Sequence, residues 1–591
     1  LTHFDGNDFY NIKGRCVAVK DCPADYKVRV FFSPSTSIEV RLFTPHIEHA
    51  GKEVETVSYN SDGTVTTTNQ KGRSTIFSFA SIKGLLKVTD VVGEQTSNCA
   101  AAFQNRTYDP DTGFVDTTTD WRGNVTEYET NEYGQVESKI VHDTGLGWAR
   151  TLGGEVTYES SVEYDSKQLP WNITTPGLYE TRTYTSENRP WVITKTDTTN
   201  HSVPYSTNGQ VRQWQYTYVM HTGTDIVKTI TLDGPRSDND QIVQEFDLQG
   251  NLISVKNSKN HEVRFTDYNA KGQPGNKYDE NNLRTEYLYN ERGWLRFERV
   301  YVSTGVLQTE YIYYKNGLLK EVRQSNGADI SYEYNDARHL TAIENNLGER
   351  KEYTPDDMTG EWMNYVIKNA SGAVEFSMDR VFDDMGRLKE AFGANGQYAV
   401  NLFDPNSNLV NSAQVADYDN QTMGSESYYV EATRYYDALN RIRIENRTGE
   451  PSVFYGDDAA GNLSQVLVSD NAAYSPQPGY GYDSLGQLQT QSVSNPPGSY
   501  VFNTDGELVG TAGGTPSGQL TEYVYNGFGE RIMEVSPATG TTVYYYDGAG
   551  NLDRKIREDD TQVENDTDQL NRILSVSYSA NSAENITYTY D

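Results

Sequence analysis

Tyr546-Asp547-Gly548-Ala549-Gly550-Asn551-Leu552 is the stretch that decides the fold. An Asp or Asn at the first position of a type I turn accepts hydrogen bonds from the backbone ahead of it, and the fourth position favours Gly because the chain there visits positive φ. The stretch therefore reads as a hairpin tip, with Tyr546 and Leu552 facing each other across the two strands. The same phrase returns with Asp247 and Gly250, Asn290 and Gly293, Asp383 and Gly386, Asp437 and Asn440, Asp483 and Gly486, and Asn526 and Gly529. Where Gly is missing, as at Asn408, Asn440 and Asn571, the replacement is Asn, which tolerates the left-handed region.

The anchors Gly250, Gly272, Gly293 and Gly317 are 22, 21 and 24 residues apart, and Gly461, Gly486, Gly506, Gly529, Gly550 and Asn571 are 25, 20, 23, 21 and 21 apart. A period near 21 holds two strands and two turns. An isolated hairpin is marginal in water, so each unit must lean on its neighbours in one long ribbon. The chain is thus expected to be all-β. About 20 hairpins at two strand spacings each make a ribbon roughly 190 Å long, enough for a little more than one turn of a ring about 60 Å across.

The composition agrees. Tyr outnumbers Met by 44 to 7, a bias that suits pleated, half-wet surfaces. The Tyr-rich face is the candidate lining of the lumen. A net charge of −33, with no basic run, disfavours nucleic acid and anionic membranes as partners. No stretch is long and apolar enough for a helical membrane span, and Leu1-Thr2-His3-Phe4-Asp5 reads as a cut or processed front. Cys16, Cys22 and Cys99 cannot frame a chain of this size; Cys16 and Cys22 either close a short loop or stand as free thiols.

Four segments are expected: a β cap or the end of a preceding domain at 1–55, first repeats at 56–141, an irregular insertion or degenerate repeats at 142–235, and a regular array at 236–591.

The aromatic-Asp-x-x-Gly-Arg-Leu phrase at this period resembles the YD repeat of the bacterial Rhs family, of toxin-complex C components and, more distantly, of teneurins. Trp214-Gln215-Tyr216-Thr217-Tyr218, Asp233-Gly234-Pro235-Arg236 and Tyr334-Asn335-Asp336-Ala337-Arg338-His339-Leu340 are similar to proteobacterial Rhs proteins. The resemblance covers roughly residues 57–591. It implies a YD-repeat hairpin ribbon coiled into a hollow β-shell or tube that encloses a toxin polypeptide, secreted or at the bacterial cell surface, with a secretion apparatus or a surface as partner. In that family an Asp-Pro-x-Gly segment and a variable toxin follow the repeats. Tyr588-Thr589-Tyr590-Asp591 falls inside a repeat, so the sequence reads as shell wall without release segment or cargo. The rival expectation is an extracellular adhesion or carbohydrate- or protein-binding module of teneurin type.

No catalytic signature stands beside these repeats. His46-Ile47-Glu48-His49 lacks the spacing and third ligand of a zincin and reads as a solvated loop. Asp111-Thr112-Gly113 and Asp143-Thr144-Gly145 have the composition of ordinary turns rather than of a paired-aspartate protease. Asp238-Asn239-Asp240 and Asp356-Asp357 lack the Gly and distant Glu of a calcium loop. The expectation is no enzyme, no cofactor and no metal; an active site within 142–235 is the weakest rival.

Overall fold

The computed structural model describes residues 46–49, 52–69, 72–93, 102–120, 123–143, 155–201, 203–356, 359–383, 385–393, 396–415, 428–437, 440–458, 461–469, 477–494, 499–502, 508–512 and 519–590. Cys16, Cys22, Cys99 and nearly all of the expected 1–55 cap lie outside them.

Short Tyr-, Val- and Thr-rich runs between turn residues form strands that each pair antiparallel with the next, building one 44-stranded sheet. No α-helix occurs among the described residues. Strands Glu155–Tyr164, Pro170–Thr175, Leu178–Tyr184, Pro190–Asp197, Val211–Met220 and Val227–Asp233 continue the same ladder. Strand Leu488–Ser494 pairs directly with Gln519–Tyr525, while Ser499–Phe502 and Leu508–Ala512 form a separate hairpin. His46–His49 is a strand, not a loop.

The aromatic and aliphatic residues flanking each turn pair as the phrase requires: Phe246 with Leu252, Tyr289 with Leu295, Tyr546 with Leu552. The register shifts at each of these aromatics, which marks a β-bulge just past every repeat turn. Bulges bend a strand and raise its twist.

That repeated bending tightens the coil beyond the sequence-based estimate. Arg212 meets Glu530, 318 residues away, and Arg236 meets Asp547, 311 residues away. Tyr205 stacks on Tyr545, and Asn69 donates to the Pro405 carbonyl 336 residues on. From strand Val211–Met220 to strand Arg531–Ser536 the ladder advances 25 steps. At about 4.8 Å per step one turn measures roughly 120 Å around and about 40 Å across, so the ribbon makes about one and three-quarter turns.

The wall is a single layer. Among the described residues its buried apolar side chains are few: Ala342, Ala413, Ala432, Leu467, Ile532 and Val543. Along Val211–Met220 burial alternates, with Trp214, Tyr216 and Tyr218 half-buried on one face, whereas Val211 and Val219 stand exposed on the other. Most packing therefore lies within one face of the sheet.

Candidate functional site

Turns alternate between the two edges of the ribbon. The repeat turns at Asp247, Asn290, Asp383, Asp437, Asp483, Asn526 and Asp547 fall on one edge; the connections at 176–177, 198–210, 234–241 and 257–260 fall on the other.

The turns that begin with Asp or Asn are each built around that one carboxylate or amide. Asp547 Oδ1 accepts the N–H groups of Ala549 and Asn551, both at 2.9 Å, and Oδ2 accepts Asn551 Nδ2 at 2.9 Å. Asp247 repeats this set with Gln249 and Asn251. At Asp383 and Asp437 the residue four places on is arginine, and Arg387 and Arg441 close the turn with charged bonds. Asn290 holds Arg292 and Trp294, Asp483 holds Leu485 and Gln487, and Asn526 holds Phe528 and Glu530. Gly250, Gly293, Gly386, Gly486, Gly529 and Gly550 take φ between +74° and +91°, and Asn440 takes +62°.

Asn408 departs from expectation: the positive φ falls on Ser407, and Asn408 instead donates its side chain to Asp404. Arg338 and Gln168 also occupy the left-handed position, so Asn is not the sole replacement for Gly. Burial pushes the Asp247, Asp383, Asp547 and Asp568 carboxyls up, but the bonds from Asn251, Arg387, Asn551 and Arg572 outweigh it and hold them below the ordinary value.

The hydroxyl of the tyrosine preceding a turn has its own role. Tyr436 donates to the Leu409 carbonyl at 2.7 Å and Tyr546 to the Arg531 carbonyl at 2.9 Å. Each acceptor is the first strand residue after an earlier repeat turn. The hydroxyl thus ties hairpin to hairpin, which phenylalanine cannot do.

The turns of the later coil seat on the opposite edge of the earlier one. Arg212, 12% exposed, meets Glu530, 13% exposed, at 2.7 Å and lies 4.1 Å over the Phe528 ring. Arg236, in the Asp233-Gly234-Pro235-Arg236 loop, reaches Asp547 at 2.9 Å and Thr567 and Asn571 at 3.3 Å. Gly527 packs against Gly177 and the fully buried Asp197, and Gly548 against the Pro235 carbonyl. The sequence carried a signal for this seam. Leu248, Glu291 and Ser484 occupy the position after the turn Asp or Asn, where 527 and 548 are glycines without positive φ. Only close approach explains them.

The other sequence candidates are structural. Asp111, Thr112 and Gly113 belong to a turn capped by Asp109. Asp143 ends a strand, with Thr144 and Gly145 outside the described residues. Asp238 pairs with Arg236, and Asp240 accepts the Gly234 and Arg236 N–H groups. Asp356 caps Thr359, and Asp357 lies outside the described residues.

No family model and no curated protein matches the chain. Among solved structures it is similar to the Photorhabdus luminescens Tc holotoxin pore with mutated TccC3 (TM-score 0.53, 12% identity) and to the crystal structure of TcdB2-TccC3-TEV (TM-score 0.51, 13% identity). Each match covers 90% of this chain and 28% of the other. The chain has the all-β hairpin-ribbon shell fold of these toxin-complex structures.

Proposed function

We propose that this chain is the wall of an Rhs-type shell that encloses a toxin polypeptide until delivery, secreted or displayed at a bacterial cell surface, with no catalytic centre of its own. The observation that carries this reading is the seam: contacts between residues 311 to 339 apart turn an open ribbon into an enclosing coil. Side chains converge on the concave side of a curved sheet, so the more covered, tyrosine-rich face lines the lumen. Its rings and hydroxyls give an unfolded guest many weak contacts without templating a core.

The test is intact mass and C-terminal sequencing of the natively produced polypeptide, combined with protease protection. A non-repeat segment that survives trypsin in the intact shell and is digested after the seam is opened by Arg212→Ala supports encapsulation. A native particle containing only repeat sequence would overturn it.

A further inference from the structure

Because side chains alternate between the two faces of a strand, the register assigns every paired residue to one face. Tyr216, Tyr287, Tyr353 and Tyr544 share the tyrosine-rich face, and the pairing carries that face unbroken along the 44-stranded ladder. Charge divides unequally between the two. Among the paired and described side chains, bulge residues aside, the tyrosine face holds thirteen Lys and Arg against six Asp and Glu, a balance of +7. The opposite face holds nine against twenty-one, a balance of −12. The acidity of the chain is therefore confined to one side of the wall.

The cations of the two faces also differ in their neighbours. On the acidic face Arg350 meets Glu333, Glu344 and Glu352, and Arg299 meets Glu286. On the tyrosine face Lys277 lies between Phe265 and Thr285, Lys351 between Ile343 and Ile367, and Lys555 between Tyr544 and Val563. No carboxylate oxygen of the described residues comes within 4.0 Å of these three ammonium groups. Their charge is left for something outside the wall. A sheet is about 10 Å thick, more than the Debye length of about 8 Å at physiological salt, so the carboxylates of the far face do not cancel it.

We propose, resting on the reading that the tyrosine face lines the lumen, that the shell selects an acidic polypeptide as its guest. Within an enclosing wall a surplus of one sign concentrates the opposite sign, while the acidic exterior repels the same guest from the outer surface. The density of charge decides between a polypeptide and a nucleic acid. A balance of +7 over 44 strands is one net cation per roughly 30 Å of ribbon, against one phosphate per about 1.7 Å of duplex. So sparse a wall cannot neutralise a nucleic acid. It suits a chain whose carboxylates are separated by apolar stretches, since Phe265, Ile343, Ile367 and Tyr544 stand beside the lysines to meet those stretches.

Fluorescence anisotropy of labelled poly-L-glutamate, about 50 residues long, with the full chain at about 0.15 M salt tests this. The parent protein is expected to bind it saturably in spite of a net charge of the same sign. The pair Lys277→Glu and Lys351→Glu should weaken binding about ten-fold at an unchanged urea midpoint, whereas the charge-matched pair Lys256→Glu and Lys368→Glu, on the acidic face, should leave it within about two-fold. On the unaltered protein, poly-L-glutamate should protect Lys277, Lys351 and Lys555 from reductive methylation and leave Lys256 reactive. No saturable binding, equal weakening by both pairs, or tighter binding of duplex DNA of the same total charge overturns the proposal. A protected native guest with a net positive charge also overturns it and leaves encapsulation standing. Poly-L-glutamate bound at the three lysines of a particle that holds no guest supports it and counts against encapsulation alone.

Discussion

Gly527→Ala separates a coiled shell from an open ribbon by the sign of its effect. A Cβ at position 527 would lie 1.8 Å from the Gly177 carbonyl oxygen and 2.9 Å from Asp197 Oδ1. Neither neighbour is free to give way: Thr198 N–H holds the Gly177 oxygen at 2.9 Å, and Asp197 Oδ1 accepts both Thr199 donors. The two coils must then part locally by about 1.5 Å to restore van der Waals contact. Such overpacking costs about 1–3 kcal/mol. In a turn that touched nothing, the same change would stabilise by about 0.4–1 kcal/mol, because Gly527 does not use positive φ. The assay is hydrogen exchange at the amides of 197–201 and 526–530. A loss of about 2 kcal/mol reads as roughly thirty-fold faster exchange on both edges of the seam. Gly250→Ala is the control: nothing lies within 4 Å of its Cβ, so the strain of φ +82°, about 1 kcal/mol, stays within its own turn. Exchange in Gly527→Ala equal to or slower than in the parent protein would refute the seam.

Three further outcomes follow from the geometry. Tyr436→Phe leaves the Leu409 carbonyl without its 2.7 Å donor and should destabilise the adjoining hairpins by about 1 kcal/mol, read as faster local exchange. Arg212→Ala strands the largely buried Glu530 and should lower stability at the seam by about 3 kcal/mol, with a double-mutant cycle through Glu530→Ala recovering much of the loss. The carboxyls of Asp247, Asp383, Asp547 and Asp568 titrate below their ordinary 3.8 when folded, so their stabilisation is complete above that value and is lost as pH falls through the lower folded values. Urea midpoints should accordingly stay flat with respect to these groups from pH 5 to 8 and fall below about pH 4, less steeply in Asp568→Asn.

The ribbon was legible because its signal is local. Asp247 or Asp547 with a glycine three residues on sets a turn without help from distant chain, and the facing aromatic and aliphatic residues set the pairing. The tightness of the coil was not, since it accumulates from bulges that add one residue at each aromatic and leave no mark in the 21-residue period. Ser407 was missed because the turn phrase had been aligned on Asn408, one residue late. The seam partners Arg212, Arg236, Glu530 and Asp547 are ordinary polar residues more than 300 positions apart, and no local pattern joins them. The doubled glycines of Asn526-Gly527-Phe528-Gly529 and Asp547-Gly548-Ala549-Gly550 were visible, but their meaning needed a neighbour to press against them.

Small-angle X-ray scattering of the intact chain tests the enclosing coil most directly. Forty-four strands laid out as an open ribbon would reach roughly 210 Å. A coil of about 40 Å mean diameter with a closed seam predicts a maximum dimension below about 100 Å and a pair-distance distribution weighted toward a hollow wall. A maximum dimension near 200 Å would contradict it.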